Sequence, residues 1–220
     1  MFTRRNVLAL GAALVAAPGG AFAQAKTDIA ISRQPGILYL PTHVIEKKKL
    51  LEKHAERLGL PGVTTKWIAF SNGGAQQDAL LSGSVDIINT GTGPLLVLWD
   101  KTRGRVKGIC ASSAQPLLLI SRDPRIKSLA DFGEGDKIAV PTVRVSTQAI
   151  LLQLAASQMF GPDKWNHFDA MTVQLGHPDA FVALKNPSHE VKSHFAAPPF
   201  QAYALKQVPG AHVVANSAEI

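Results

Sequence analysis

The sequence predicts an α/β fold with two lobes, each built from mostly parallel strands flanked by helices. Short apolar runs alternate with longer helix-like segments, which is the pattern of βαβ units. Turns rich in Gly, Ser, Thr and Asn separate a strand from the following helix, as in residues 71–74 and 90–93. A change in composition near residues 112–115 is followed by a second copy of the pattern, so we place the lobe boundary there.

The bulk composition is that of a globular protein. The chain has 220 residues, of which 46% are hydrophobic and 18% charged, so it can bury a sizeable core. The net charge is +7, but the basic residues are scattered and no nucleic-acid-binding motif accompanies them. We therefore expect a solvated basic surface and no nucleic-acid partner.

Residues 1–23 have the features of an export signal. Arg4 and Arg5 precede an apolar stretch, and Ala21-Phe22-Ala23 forms a small-residue cleavage site. The apolar stretch is too short for a membrane-spanning helix. Residues 3–8 match the twin-arginine export pattern, although an ordinary secretory signal could also carry two arginines. We expect cleavage after Ala23 and a periplasmic protein.

Lobe 1 is predicted to span residues 24–114. Apolar and β-branched runs predict four strands, and segments with helical periodicity follow the first three. The predicted strands are 29–31, 62–70, 85–90 and 106–113, and the predicted helices begin near residues 37, 73 and 93.

Lobe 2 is predicted to span residues 115–197 and repeats the same order of elements. Its predicted strands are 117–121, 137–140, 171–174 and a return strand within 193–200. A long helix begins near Ser146 and ends at Gly161, where glycine terminates the helical pattern. Residues 198–220 are predicted to return to lobe 1.

A candidate ligand site follows from the topology. Ligands of open α/β sheets bind beyond the carboxyl ends of the strands, and helix starts there offer free N–H groups that suit an anion. Glycine permits close approach of the ligand, while hydroxyl and amide side chains add hydrogen bonds. The candidate ligand-binding residues are Gln34, Gly36, Ser71, Asn72, Gly73, Gly74, Thr90, Gly91, Thr92, Thr142, Ser146 and Thr147.

Each of these residues also has a purely structural interpretation. Ser71 or Asn72 could simply cap the helix that follows, as could Ser146, and Gly91 could simply allow a tight turn. The prediction therefore depends on the whole set facing one place. Arg33 and Arg144 flank the predicted cleft and could pair with an anion, although solvated loop arginines are the commoner case.

The remaining reactive residue types do not predict a catalytic or metal site. Cys110 is the only cysteine, so an internal disulfide is excluded, and its apolar neighbours predict a buried thiol. The histidines lie in separate segments without metal-ligand spacing, so we expect surface or capping roles and no metal or cofactor. They are His43, His54, His167, His177, His189, His194 and His212.

Three segments in order resemble a known family. Residues 36–60, 70–87 and 126–155, the last without its central part, are similar to solute-binding proteins of ABC importers of the nitrate, sulfonate and taurine type. The resemblance covers nearly all of the chain after the export signal. It implies a periplasmic-binding-protein type II fold, with two α/β lobes, a hinge and a ligand in the cleft between them. Family members are longer, which implies a first lobe incomplete at its C-terminus.

The resemblance also implies a function. It points to a monomeric periplasmic component that binds a small anionic solute, such as a sulfonate, taurine or nitrate, and delivers it to an ABC permease. No enzyme activity and no cofactor are implied. Two alternatives stay open at this point: an enzyme on the same fold, of the sulfinate-cleaving or pyrimidine-precursor type, and a ligand sensor.

Overall fold

The computed structural model describes residues 27–220, so the predicted export signal and its cleavage site lie outside the described residues. The described chain forms one two-stranded and one five-stranded sheet. The strands are β1 (Asp28–Arg33), β2 (Thr64–Ala69), β3 (Leu118–Ser121), β4 (Ile138–Val140), β5 (Thr172–Gln174), β6 (Ser193–Ala196) and β7 (His212–Asn216).

Seven α-helices accompany these strands within residues 27–220. None of them is long and apolar enough to cross a membrane. The helices are α1 (Leu40–Lys48), α2 (Leu50–Arg57), α3 (Gly73–Leu81), α4 (Thr92–Lys101), α5 (Thr147–Phe160), α6 (His177–Lys185) and α7 (Phe200–Gln207).

The five-stranded sheet has the order β5-β4-β6-β3-β7. Strand β4 pairs in parallel with β5 and β6, whereas β3 pairs antiparallel with β6 and β7. Four strands therefore share one direction and β3 opposes them. The prediction of mostly parallel sheets is confirmed for this lobe.

Alternating side chains bury both faces of the five-stranded sheet. Ile138 and Val140 belong to an apolar cluster with Leu152 of α5. The intervening Ala139 packs instead with Ala180 of α6. Because successive side chains of a strand point to opposite faces, helices cover the sheet on both sides. This confirms the predicted α/β layering.

The sheet of the first lobe is smaller. Strands β1 and β2 pair in parallel, with Asp28 opposite Thr64. The predicted strand 85–90 meets β1 only through a bridge between Ile31 and Ile87. The predicted continuous helix after Gly36 divides into α1 and α2 at Lys49, whose φ of 50° is left-handed and interrupts the helix.

The predicted fourth strand, residues 106–113, is wrong. This segment has no strand pairing in the described chain, Ile109 is 76% exposed, and Cys110 is exposed rather than buried. An apolar run forms a buried strand only where a neighbouring strand and a covering layer are present. Among residues 27–220 no strand pairs with this segment, and most of its residues are exposed.

The predicted return of residues 198–220 to lobe 1 is also wrong. Strand β7 pairs with β3, so this segment completes the edge of the five-stranded sheet. Ala204 and Val208 bury themselves against Ile120 on one face of that sheet. The apolar alternation of this segment therefore extends the second lobe. Below, lobe 1 denotes residues 27–114 and lobe 2 denotes residues 115–220.

Candidate functional site

The start of α3 in lobe 1 faces the loop before α5 in lobe 2. The Gly74 N–H donates to Thr142 Oγ1 at 3.1 Å, so the two lobes share a hydrogen bond. Both helices are capped as their sequences predict: Asn72 accepts from the Ala75 N–H, and Ser146 accepts from the Ala149 N–H. These caps fix the direction in which the remaining free N–H groups point.

The start of α4 also meets the start of α5. A methyl group at Gly91 would overlap Thr147 Oγ1, and one at Gly93 would lie 2.9 Å from the Ile150 side chain. Gly91 has a φ of −80°, so its requirement for glycine comes from the close approach of lobe 2 and not from backbone strain.

Two further contacts extend this seam. A methyl group at Gly36 would lie 3.2 Å from the Pro198 carbonyl oxygen, and one at Gly176 would lie 3.2 Å from the Ser71 carbonyl oxygen. Tyr39 lies beside Gly36, and burial raises its pKa to about 12, which keeps the phenol protonated. Helix starts from both lobes thus meet at the contacts made by Gly36, Gly74, Gly91 and Gly176. We call this zone of contact between the lobes the seam.

The predicted site residues therefore occupy one region of the molecule. Six of them lie where the two lobes meet: Gly36, Ser71, Gly74, Gly91, Thr142 and Thr147. The other six lie in the same turns or beside them, and of these Ser146 and Gln34 are buried: Gln34, Asn72, Gly73, Thr90, Thr92 and Ser146. That any of these residues contacts a ligand remains a prediction.

A buried polar network in lobe 1 lies behind the seam and was not found by sequence reasoning. Ser32 Oγ donates to Gln76 Oε1 at 2.8 Å, and Gln76 Nε2 donates to the Asn89 carbonyl oxygen. Gln34 Nε2 reaches the same carbonyl at 3.5 Å, and Asn89 Nδ2 donates to Thr42 Oγ1 at 3.0 Å. The network ties the end of β1 to the turn before α4. The signal in the sequence was the pair of adjacent glutamines in α3, Gln76 and Gln77.

The two flanking arginines are paired with carboxylates. Arg33 Nη1 donates to both carboxylate oxygens of Glu46 at 2.9 Å. Arg144 Nε lies 3.9 Å from Asp169 Oδ2, and its side chain is 76% exposed. Their structural interpretation is therefore favoured over a role as anion ligands.

The prediction that all histidines are surface or capping residues is wrong for two of them. His194 on β6 is fully buried, and its Nε2 lies 2.9 Å from His177 Nδ1. Burial lowers the pKa of His177 to about 4, and burial together with the neighbouring His177 holds the pKa of His194 well below its usual value. Both are neutral at neutral pH. They are 17 positions apart, so no local motif could indicate the pair.

A cavity of about 480 Å³ is lined in part by Arg144 and Asp169. Its walls belong to lobe 2 alone, and none of the predicted ligand-binding residues lines it. The seam itself is closed by the direct contacts between the lobes. Among residues 27–220, no group of three or more His, Cys, Asp or Glu side chains could hold a metal ion.

Solved structures that share this fold include ligand-binding proteins, one of them a component of an ABC-type import system. The alkanesulfonate-binding protein SsuA from Xanthomonas axonopodis pv. citri, bound to MOPS, is 19% identical with a TM-score of 0.59 over 87% of this chain and 61% of its own. The periplasmic aliphatic sulphonate-binding protein SsuA from Escherichia coli is 20% identical with a TM-score of 0.56. The match covers 89% of this chain and 62% of that protein.

A third solved structure shares the fold to a similar degree. The ligand-binding component of an ABC-type import system from Staphylococcus aureus, with zinc bound, is 18% identical with a TM-score of 0.58, over 89% of this chain and 62% of its own. No family model matches the chain, and no curated protein matches it. The chain thus has the two-lobed type II binding-protein fold and spans about three fifths of the length of these proteins.

Proposed function

We propose that this protein binds a small oxyanion between its two lobes and serves as the substrate-binding component of an ABC importer. The observation that carries the proposal is the seam, where the starts of α3 and α4 meet the start of α5. Sulfonate, nitrate and carboxylate groups are the solutes that this arrangement suits.

The chemistry of the seam supports an anion. Free N–H groups at helix starts carry partial positive charge, so several such starts around one point stabilise a negative group without a charged side chain. Glycines at positions 74, 91 and 176 let the backbone approach closely. Hydroxyl groups of Thr142 and Thr147 lie at the same contacts and can donate to oxyanion oxygens.

Opening of the seam is part of the proposal. In the described structure the lobes touch, so a solute enters only when they separate, and their closure then traps it. Export through the signal in residues 1–23, with cleavage after Ala23, would place the protein where a membrane permease receives the solute. These steps are supported by the shared fold and by the sequence of the first 23 residues.

A thermal-unfolding titration tests the proposal. Methanesulfonate, taurine and nitrate are the probes, and choline is the cationic control. A bound solute at 100 times its dissociation constant stabilises the folded state by about 2.7 kcal/mol. We expect this stabilisation from at least one oxyanion and none from choline. Failure of all three oxyanions to stabilise the protein would contradict the proposal.

A pair of variants locates the site. Thr147→Val keeps the shape of the side chain but removes the hydroxyl that faces Gly91, so we expect at least about tenfold weaker oxyanion binding. Thr64→Val is the matched control, since Thr64 is exposed on β2, outside the seam. Equal losses in both variants would argue against a site at the seam.

A further inference from the structure

A chain of three side chains extends from the seam into lobe 2. Gln148 Nε2 lies 3.3 Å from His177 Nε2, and His177 Nδ1 lies 2.9 Å from His194 Nε2. Phe200 stacks on the His177 ring, with 5.9 Å between the ring centroids and 18° between the planes. His177 is therefore held in place by Phe200, His194 and Gln148.

The position of His177 is bracketed by two contacts between the lobes. Its neighbour Gly176 abuts the Ser71 carbonyl oxygen, while Gln148 follows Thr147, which abuts Gly91. The Gln148–His177 pair thus spans the starts of α5 and α6 between two points where lobe 1 touches lobe 2. A solute held between these points would lie beside the starts of α5 and α6, which carry Gln148 and His177.

His194 has one ring nitrogen without a hydrogen-bond partner among the described residues, and this nitrogen determines where the protons lie in the Gln148–His177–His194 chain. His194 Nδ1 is buried and has no hydrogen-bond partner among residues 27–220. A buried donor without a partner is rarer than a buried acceptor without one, so the proton of His194 lies on Nε2 and is donated to His177 Nδ1. The proton of His177 then lies on its Nε2.

This assignment fixes the orientation of Gln148. His177 Nε2–H needs an acceptor. The side-chain amide of Gln148 is therefore turned so that its oxygen, rather than its nitrogen, faces His177. The Gln148 NH₂ group is then released as a donor. Because both histidines are neutral at neutral pH, they orient this Gln148 donor without adding a charge.

We infer that Gln148 is a solute-binding residue, with His177 and His194 as its positioning residues, and that it selects a solute whose inner end is a hydrogen-bond acceptor. This inference rests on the proposed function and deepens it. An oxyanion or carbonyl oxygen accepts from the Gln148 NH₂ group, whereas an ammonium group brings a further set of donors that this NH₂ group cannot accept.

Binding measurements on two variants test the inference. His177→Phe retains the stacking on Phe200 but loses the Nε2–H that orients Gln148, so we expect methanesulfonate or taurine to bind at least tenfold more weakly. Gln148→Glu retains an acceptor for His177 Nε2–H but replaces the NH₂ donor by a carboxylate, so we expect it to abolish oxyanion binding. His54→Phe is the matched control, because His54 is exposed on α2.

The outcomes separate this inference from the proposed function. If the wild-type protein binds an oxyanion and His177→Phe binds it equally well, the inference is overturned and the proposed function survives. If the wild-type protein binds none of the probes, both are contradicted. Binding of methylammonium as tightly as methanesulfonate would overturn the selection of an acceptor.

A measurement on the wild-type protein covers the case in which His177→Phe fails to fold. In a ¹⁵N-histidine-labelled sample, titration with the tightest-binding oxyanion is expected to shift the ring-nitrogen signals of His177 and His194 with one common saturation curve. The His54 signals are expected to stay in place. Saturable binding with unchanged His177 signals would overturn the inference.

Discussion

The two lobes differ in how they bury apolar surface. Lobe 2 encloses three apolar clusters on both faces of its five-stranded sheet, and Phe195, Leu119 and Ile138 are fully buried there. Lobe 1 has two paired strands, and its Leu96 and Trp99 are more than half exposed. Lobe 2 is therefore the rigid scaffold, whereas lobe 1 depends more on its polar network and on contact with lobe 2.

The largest expected effect comes from emptying the core of lobe 2. Phe195→Ala removes a ring from the cluster on the α5 face, and large-to-small changes of this kind cost about 3–5 kcal/mol. Urea unfolding measures the loss. Trp99→Ala in lobe 1 is the counterpart, and because Trp99 is 54% exposed we expect less than about 1 kcal/mol. Similar losses of unfolding free energy in the two variants would contradict the view that lobe 2 holds the more tightly packed core.

Hydrogen exchange compares the lobes without any substitution. We expect the amides of β3 and β6 to open only near global unfolding, while those of β1 and β2 open at free energies lower by about 2 kcal/mol or more. Exchange of both sheets at the same opening free energy would indicate that the lobes unfold as one unit.

A single added methyl group at the seam should keep the two lobes from closing. Gly91→Ala places a methyl group against Thr147 Oγ1, so closure is blocked and oxyanion affinity falls at least tenfold, as measured by calorimetry. The double variant Gly91→Ala with Thr147→Ala removes the clash and should recover part of the binding that Gly91→Ala loses beyond Thr147→Ala alone.

Gly133→Ala is the control for that experiment. Gly133 has ordinary backbone geometry and nothing within 4 Å of an added methyl group, so binding should be unchanged. If Gly91→Ala binds as tightly as the wild-type protein, the lobes do not meet at this point in the bound state.

The last expected effect is a pH dependence that originates in lobe 2. His177 and His194 have lowered pKa values in the folded state, so the unfolded chain binds more protons below pH 6.5. Stability should therefore fall as the pH drops from about 6.5 towards 4, by about 2 kcal/mol between pH 7 and 5 from His177 alone. Asp123, whose pKa is lowered to about 2, would lose its contribution only at lower pH.

The variant His177→Phe sharpens this pH prediction. It should flatten the slope of unfolding free energy between pH 7 and 5, while His54→Phe should not. A slope that is the same in both variants would assign the pH dependence to other groups.

The sequence predicted the helix starts of the site well, because caps and glycines are local signals. Asn72 and Ser146 cap their helices as expected, and α3 and α5 begin where these residues place them. It could not predict the Gln148–His177–His194 chain or the Ser32–Gln76–Asn89 network, which depend on contacts between distant segments. It also misplaced residues 106–113 and 198–220, because an apolar run does not reveal which neighbour will cover it.

The most direct test of a solute site between the lobes is to follow backbone amide signals during titration with the tightest-binding oxyanion. We expect the amides of Gly74 and Gly91 in lobe 1 and of Thr147 and Gly176 in lobe 2 to shift together along one saturable curve. Shifts confined to one lobe, or confined to exposed lysines, would contradict the proposed function.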